Sequence, residues 1–117
     1  MRRAAKVDRN QPEIVATLRR LGFSVQPLHA VGGGVPDLLC ARRGATHLIE
    51  VKDGEKPPSA RKLTPDQVEW HAGWNAPVAV INSVEEAVEW AAGLTPGSLS
   101  KDVVRRVAIK NGWTAET

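Results

Sequence analysis

Two apolar runs on either side of a glycine-containing turn constrain the fold of this chain more than any other feature. The first run covers residues 35–41 and the second covers residues 47–52, with Arg-Gly-Ala-Thr at 43–46 as the turn between them. In the second run the β-branched Ile49 and Val51 favour a strand, whose side chains alternate between its two faces. We therefore predict that the two runs pair as a β-hairpin.

This hairpin carries charged residues where a strand is expected to be largely buried. Glu50 and Lys52 are two residues apart and share one face, and pairing across the turn brings Asp37 near the level of Lys52. Two close carboxylates repel each other, and one of them tends to protonate. A hard divalent cation such as Mg²⁺ removes this repulsion, because it takes one or two carboxylates and keeps several waters. The pattern indicates metal-assisted phosphodiester hydrolysis; the alternative is an ordinary hairpin with a structural ion pair.

At these residues the chain resembles the PD-(D/E)XK nuclease superfamily. Pro36 and Asp37 match the first half of the motif, and Glu-Val-Lys at 50–52 matches the second half. With Leu-Thr-Pro-Asp-Gln-Val-Glu-Trp-His at 63–71, the chain looks most like the VRR-NUC (virus-type replication–repair nuclease) branch, which is similar to Holliday-junction resolvases. The resemblance covers roughly residues 11–90. It implies the restriction-endonuclease-like α/β fold, which is a mixed sheet flanked by helices.

The resemblance also implies a role for each motif residue. Asp37, Glu50 and the Val51 carbonyl are expected to hold Mg²⁺ or Mn²⁺. Lys52 is expected to help deprotonate the attacking water or to neutralise the phosphorane. Gln67 matches a family glutamine that faces the active site, although a capping partner at the third helical position explains it equally well.

Many members of the superfamily carry a further acidic residue on the first helix, pointing at the metal. Counted back from the Leu-Gly end of this helix at 21–22, that position falls nearest Gln11. Glu13 and Asp8 are the acidic candidates, but each is also explained by the helix dipole or by exposure to solvent. The sequence leaves open which of these residues joins the metal site.

The chain as a whole predicts the element order αβββαβα, followed by a C-terminal helix. Asn10 is the predicted cap of the first helix. Pro27 predicts that the first strand lies at a sheet edge or bends, because proline cannot donate to a ladder. The predicted elements are a first helix from residue 10 to 21–22, a strand at 23–29, the hairpin, a helix from 64 to about 75, a strand at 77–82, a helix that begins at 83–86, and a last helix at about 99–111.

The predicted elements divide the chain into three parts. These are a basic N-terminal tail at 1–9, one nuclease domain at 10–94 and a C-terminal helical extension at 95–117. The net charge of +3 is compatible with a polyanion partner. Lys56, Arg61 and Lys62 lie in the loop after Lys52, where they are predicted to hold a DNA backbone; a plain polar connection is the alternative.

Three features exclude other classes of protein. The single cysteine, Cys40, excludes an internal disulfide and a cysteine-rich zinc site. No apolar run approaches the roughly 18 residues that span a bilayer, and the basic start leads to no secretion signal. We therefore expect no membrane partner and a cytoplasmic location, in a bacterial or phage-infected cell.

The sequence thus predicts a metal-dependent DNA endonuclease that hydrolyses phosphodiester bonds. The resemblance implies a structure-selective enzyme for flap, branched or junction DNA in replication, repair or recombination. Junction cutting would require a symmetric homodimer. The alternative function is a catalytically weak or inactive nucleic-acid-binding or regulatory module of the same fold. Asp37, Glu50 and Lys52 together favour the enzyme, because a degenerate member commonly loses one of them.

Overall fold

A computed structural model describes residues 7–94 of the chain. Residues 1–6 of the predicted tail and the predicted last helix at about 99–111 lie outside these described residues. The helices and strands follow one another as α1 (Gln11–Arg20), β1 (Ser24–Pro27), β2 (Leu38–Arg42), β3 (Ala45–Val51), a 3-10 turn (Pro58–Ala60), α2 (Pro65–Ala72), β4 (Val78–Ile81) and α3 (Val84–Ala92).

The four strands form one mixed sheet in the order β1-β2-β3-β4. The β1/β2 and β2/β3 pairs are antiparallel, and the β3/β4 pair is parallel because α2 lies in the connection between them. The prediction of an α/β fold with a mixed sheet flanked by helices is confirmed. The first strand lies at an edge of this sheet and ends at Pro27, as the missing proline N–H requires.

The hairpin turn is tighter than the sequence predicts. Arg42 pairs with Ala45, so that Arg43 and Gly44 alone form the turn, with φ angles of 54° and 81°. Positive φ at both central residues is typical of the two-residue turn that matches the twist of paired strands. The predicted four-residue turn at 43–46 is therefore wrong, because Ala45 and Thr46 belong to β3.

The hydrophobic core lies between one face of the sheet and the helices α1 and α3. The sheet contributes Leu38, Ile49, Val51 and Ile81, and α1 contributes residues such as Ile14. From α3, Trp90 stacks on Phe23 with a centroid distance of 5.4 Å. By contrast, α2 contains no buried side chain. No helix within residues 7–94 has the length and apolar character that crossing a membrane requires.

Arg42 connects the hairpin to the C-terminal ends of both core helices. Its guanidinium donates to the Leu21 carbonyl at 3.0 Å and to the Ala91 carbonyl at 2.8 Å. The same group lies 4.3 Å from the centre of the Phe23 ring, within cation–π range. Helix ends leave carbonyls without helical partners. Arg42 satisfies the carbonyl of Leu21 and adds a second donor to that of Ala91, which also accepts from the Leu94 N–H.

Replacing Arg42 with methionine is expected to lower the free energy of unfolding by about 2–3 kcal/mol. The variant loses two hydrogen bonds from a charged donor and one cation–π contact, while the methionine side chain keeps most of the packing. Urea unfolding followed by circular dichroism measures this difference. Arg43→Met is the matched control in the exposed turn, and equal stability of the two variants would contradict the role given to Arg42.

Candidate active site

Asp37 and Glu50 lie side by side at the buried end of the hairpin. Asp37 is 5% exposed and Glu50 is 1% exposed. Leu38 pairs with Ile49, which places Asp37 at the level of Glu50, and Asp37 Oδ2 accepts a hydrogen bond of 2.7 Å from the Val51 N–H. The prediction that Asp37 lies near the level of Lys52 is therefore wrong by two residues, because the shorter turn shifts the register.

The Glu50 carboxyl is held in an environment that disfavours its charge. Burial, followed by a hydrogen bond with Asp37 and the negative charge of Asp37, raises the pKa of Glu50 from 4.5 to about 10; the charge of Lys52 acts in the opposite direction. Glu50 Oε2 accepts a hydrogen bond of 3.0 Å from Gln67, whereas buried Oε1 has no hydrogen-bond partner among residues 7–94. Without a bound metal ion, this side chain holds a proton at neutral pH.

Gln67 joins the two halves of the motif. Its Oε1 accepts hydrogen bonds from Lys52 Nζ at 2.7 Å and from the Thr64 N–H at 2.9 Å, while Nε2 donates to Glu50. The Gln67 N–H donates to Thr64 Oγ1 at 3.3 Å, which completes the predicted capping box. Gln67 is thus the capping partner that the sequence predicts, and the same side chain also contacts Glu50 and Lys52. This residue fixes the start of α2 against β3.

His71 lies one helical turn after Gln67 and also faces Glu50. Its Nε2 is 3.6 Å from Glu50 Oε1, and neither atom has a hydrogen-bond partner among the described residues. Burial lowers the pKa of His71, and the positive charge of Lys52 lowers it further. His71 is therefore a neutral imidazole beside the carboxyl pair at physiological pH.

Asn10 positions the backbone beyond Lys52. It occupies the predicted cap position of α1, but its side chain makes no capping hydrogen bond. Instead, Asn10 Nδ2 donates to the carbonyls of Lys52 and Asn82, both at 3.0 Å. The prediction that Asn10 caps the helix is wrong, because the ends of β3 and β4 offer carbonyls across the sheet. Sequence reasoning missed this role, since no local pattern signals a contact so distant along the chain.

The three candidates for a further ligand near α1 lie in different environments. Burial and the charge of Asp37 raise the pKa of Asp8, which in turn raises the pKa of Glu50. Gln11 is 4% exposed, and its Oε1 has no hydrogen-bond partner within the described part of the chain. Glu13 is exposed. Asp8 is therefore the acidic side chain of this group that interacts electrostatically with the carboxyl pair.

The carboxyl pair fits a hard divalent cation. Within residues 7–94, no group of three His, Cys, Asp or Glu side chains is arranged to hold a metal ion. The carboxylate ligands at this site are therefore two, Asp37 and Glu50. Mg²⁺ commonly takes one or two carboxylates and keeps several waters, and Mn²⁺ accepts the same oxygen ligands. The unpartnered Glu50 Oε1 and its raised pKa are the features that a bound cation would relieve. The predicted Val51 ligand would add its carbonyl oxygen to this set.

The three residues of the following loop that are predicted to bind DNA differ in their exposure and in their contacts. Lys62 is exposed, and Lys56 Nζ, on a side chain 52% exposed, is 4.0 Å from Asp8 Oδ1. Arg61 instead donates to the Lys56 carbonyl at 2.9 Å and so braces the loop. Arg61 also lines a cleft of about 420 Å³, called here the acidic cleft, together with Glu13, Asp53, Glu55, Glu85 and Glu86.

Gly34 allows the loop before Asp37 to approach α2. Its φ is +86°, and a Cβ at this position would collide with the backbone of Asp66 and Gln67. The loop therefore packs directly on the start of the helix that carries Gln67. No local pattern in the sequence predicts this contact with α2, because glycine spacing alone does not identify the neighbouring element.

Comparison with known proteins gives no relative for this chain. No family model, no curated protein and no solved structure matches it.

Replacing Gly34 with alanine is expected to destabilise the protein by roughly 2 kcal/mol more than Gly44→Ala. Both glycines have a positive φ, at +86° and +81°, so both variants carry the same backbone strain. Only the Gly34 variant adds overpacking against the backbone of α2, since a Cβ on Gly44 meets nothing within 4 Å. Thermal unfolding measures both variants, and equal destabilisation would show that the loop does not contact α2 closely.

In the presence of EDTA, stability is expected to fall as pH rises from about 5 to 9. The raised pKa of Glu50 means that the folded state keeps a proton that the unfolded chain has lost, so this contribution disappears as pH approaches about 10. The slope is up to about 1.4 kcal/mol per pH unit. Urea unfolding at several pH values should show a flatter profile for Glu50→Gln. The exposed Glu69→Gln should keep the parental slope; a parental slope in Glu50→Gln would contradict the assignment.

Proposed function

We propose that this protein is a metal-dependent DNA endonuclease of the PD-(D/E)XK type. The observation that carries the proposal is the convergence of Asp37, Glu50 and Lys52 in one buried corner, with Gln67 bonded to both Glu50 and Lys52. A structural ion pair alone would not need a second carboxyl beside Glu50, because that carboxyl raises the cost of ionising it. A restriction-endonuclease-like arrangement of the sheet and helices belongs to the same proposal.

In this function Asp37 and Glu50 would hold Mg²⁺ or Mn²⁺. When bound, the cation supplies positive charge to the phosphate and lowers the pKa of the attacking water. The Asp37 carboxylate is oriented by the Val51 N–H, which leaves its second oxygen for the cation. Glu50 contributes the oxygen that has no protein partner among the described residues.

Lys52 supplies the positive charge that belongs to the protein itself. Lys52 is 7% exposed and its ammonium is held by Gln67 Oε1 at 2.7 Å, so that its position is fixed before the substrate arrives. A preorganised cation in a site that excludes water stabilises negative charge on the phosphorane more strongly than the same cation in solvent. Gln67 acts here as a positioning residue, because it orients Lys52 and Glu50 together.

The substrate class follows from the resemblance and from the size of the domain. We propose DNA with a flap, branch or junction, cut during replication, repair or recombination in a bacterial or phage-infected cell. A chain of 117 residues offers little surface for reading base sequence, so contacts to the phosphate backbone would dominate. Exposed Lys62 and the half-exposed Lys56 suit such contacts. Cutting a four-way junction would further require a homodimer that presents two sites.

A second candidate function is a nucleic-acid-binding or regulatory module without catalysis. One observation favours it: no third acidic, histidine or cysteine ligand joins Asp37 and Glu50 within residues 7–94. A site with two carboxylates holds a cation more weakly than one with three, because affinity follows the number and charge of the ligands. The two candidates differ in whether DNA is cut when a cation is present.

Cleavage is expected to require a divalent cation and both Glu50 and Lys52. Labelled linear duplex, flap and four-way-junction DNA are incubated with Mg²⁺, Mn²⁺ or EDTA. Glu50→Gln and Lys52→Met should each lower the rate by at least about 100-fold, because each removes charge that stabilises the transition state. Lys62→Met is the matched control, with an expected loss of less than about tenfold because a surface phosphate contact contributes little to the chemical step.

The possible outcomes separate the two functions. If Glu50→Gln cuts at the parental rate, Glu50 is not part of an active site and the nuclease assignment fails. If the wild-type protein binds DNA but cuts no substrate with either cation, the module without catalysis is the better account. Circular dichroism of each variant confirms that a lost rate does not reflect a lost fold.

A further inference from the structure

A continuous row of three aromatic side chains, called here the aromatic row, consists of His71 and Trp70 in α2 and Trp74 just after the helix cap. The row begins at His71, whose Nε2 is 3.6 Å from Glu50 Oε1. Trp70 contacts His71 edge to face at a centroid distance of 6.2 Å. Trp74 stacks on Trp70 at 4.8 Å with an interplanar angle of 23°. The row therefore leads outward from the carboxyl pair to the protein surface.

Trp74, at the outer end of the row, is available to a partner. Its residue is 47% exposed, whereas Trp70 is partly buried behind it. The stack on Trp70 holds the indole in place, because the two rings lie nearly parallel. Trp74 lies seven positions after Gln67, which corresponds to about 10 Å along a helix, or about three base-pair steps of B-DNA. The exposed indole is thus within a few nucleotides of the site.

The charges around the site indicate from which side a DNA strand approaches. The acidic cleft, which α1, the start of α3 and residues 53–55 and 61 of the loop after β3 line together, carries carboxylates that repel phosphate. On the loop that leads into α2, Lys62 is exposed and Lys56 is half-exposed. A strand held by Lys62, which lies three positions before α2 and does not line the acidic cleft, would pass the carboxyl pair beside α2. Its continuation then reaches the aromatic row.

We propose that Trp74 is a stacking platform for an unpaired base of the DNA strand that passes through the site. This inference rests on the proposed nuclease function and narrows its substrate class. The preferred DNA carries unpaired bases within a few nucleotides of the cut, as in a flap, and continuous duplex is a poorer substrate. An indole face accepts any base, because every base presents a π-surface, so the platform selects DNA structure and not sequence.

Base stacking explains features of Trp74 that a duplex contact does not. In a paired duplex the base faces are covered by neighbouring pairs, and an exposed ring has no face to stack on. A stacked unpaired base removes apolar surface of the indole from water. Trp70, which stacks on Trp74, holds that indole in place. Val68 is also exposed, at 53%, but it lies on another side of α2 and offers no ring. Val68→Ala is therefore the matched control.

The first test measures binding without cleavage. Full-length protein in EDTA is titrated with a single-stranded oligothymidylate and with a blunt duplex, and tryptophan fluorescence is recorded. The oligothymidylate should quench the wild type and should bind Trp74→Ala about 5- to 100-fold more weakly, with the quench largely lost. Trp74→Phe should restore most of the affinity, and Val68→Ala should bind as the wild type does. Equal binding by Trp74→Ala overturns the inference, whether or not the protein cuts DNA.

The second test measures cleavage and keeps the two proposals separate. Trp74→Ala should lower kcat/KM on a flap by the same 5- to 100-fold factor and leave kcat/KM on linear duplex unchanged. A flap with abasic sites next to the junction should reproduce this loss in the wild type and cause no further loss in Trp74→Ala. Unchanged flap cutting by Trp74→Ala refutes the platform and leaves the nuclease standing. Absence of all cutting refutes the nuclease, while the binding titration still decides the platform.

The Trp74 face could instead be covered by a second copy of the protein or by another segment of the same chain, and a third test distinguishes these cases. Iodide quenching of the free full-length protein is compared for the wild type and Trp74→Ala. Efficient quenching assigned to Trp74 supports an open platform. A protected Trp74 overturns the inference, and light scattering then identifies the cover: a dimer that Trp74→Ala converts to a monomer indicates a second copy, and an unchanged monomer indicates another segment of this chain.

Discussion

The structure depends on the burial of two carboxyl groups side by side at one end of a hairpin. Asp37 and Glu50 are almost inaccessible, and the charge of Asp37 raises the cost of ionising Glu50. Such a pair is stable only when a proton or a cation offsets the repulsion. The Val51 N–H, Gln67 and Lys52 offset part of it, and they leave Glu50 Oε1 without a protein partner among residues 7–94. The surrounding elements are arranged to hold this pair in place.

The helix α2 owes its position to these polar contacts more than to hydrophobic burial. None of its side chains is buried, so the hydrophobic contribution to its docking is small. Gln67 holds it to Glu50 and Lys52, and Gly34 allows a close backbone contact at its start. The element with the least hydrophobic anchoring thus carries the residues that face the site. Substrate or cation binding is therefore expected to stabilise α2 relative to the rest of the fold.

Much of the fold could be predicted because local signals and tertiary needs agree. The β-branched residues at 49 and 51 predict a strand, and Thr64 with Gln67 predicts a capping box that is confirmed in full. The hairpin register could not be predicted, because Arg43 adopts a positive φ that is costly outside glycine, and an Arg-Gly pair is a weak signal for a two-residue turn.

The hydrogen bonds around the site were less predictable than the identity of the residues that form it. The structure brings Asp37, Glu50, Lys52 and Gln67 together, although the hairpin register differs from the predicted one by two residues. Asn10 instead bonds carbonyls at the ends of two strands, and Arg61 braces its own loop. Each of these two side chains has several available acceptors. Which acceptor it bonds depends on tertiary geometry, which sequence spacing does not encode.

The most direct test of the account is the number of protons released when a cation binds near pH 7. Titration calorimetry with Mg²⁺ or Mn²⁺ in two buffers of different ionisation enthalpy gives this number. Because the pKa of Glu50 is raised to about 10, the account predicts release of about one proton per cation bound. Binding without proton release, or no binding at all, would contradict the claim that the carboxyl pair exchanges a proton for a divalent cation.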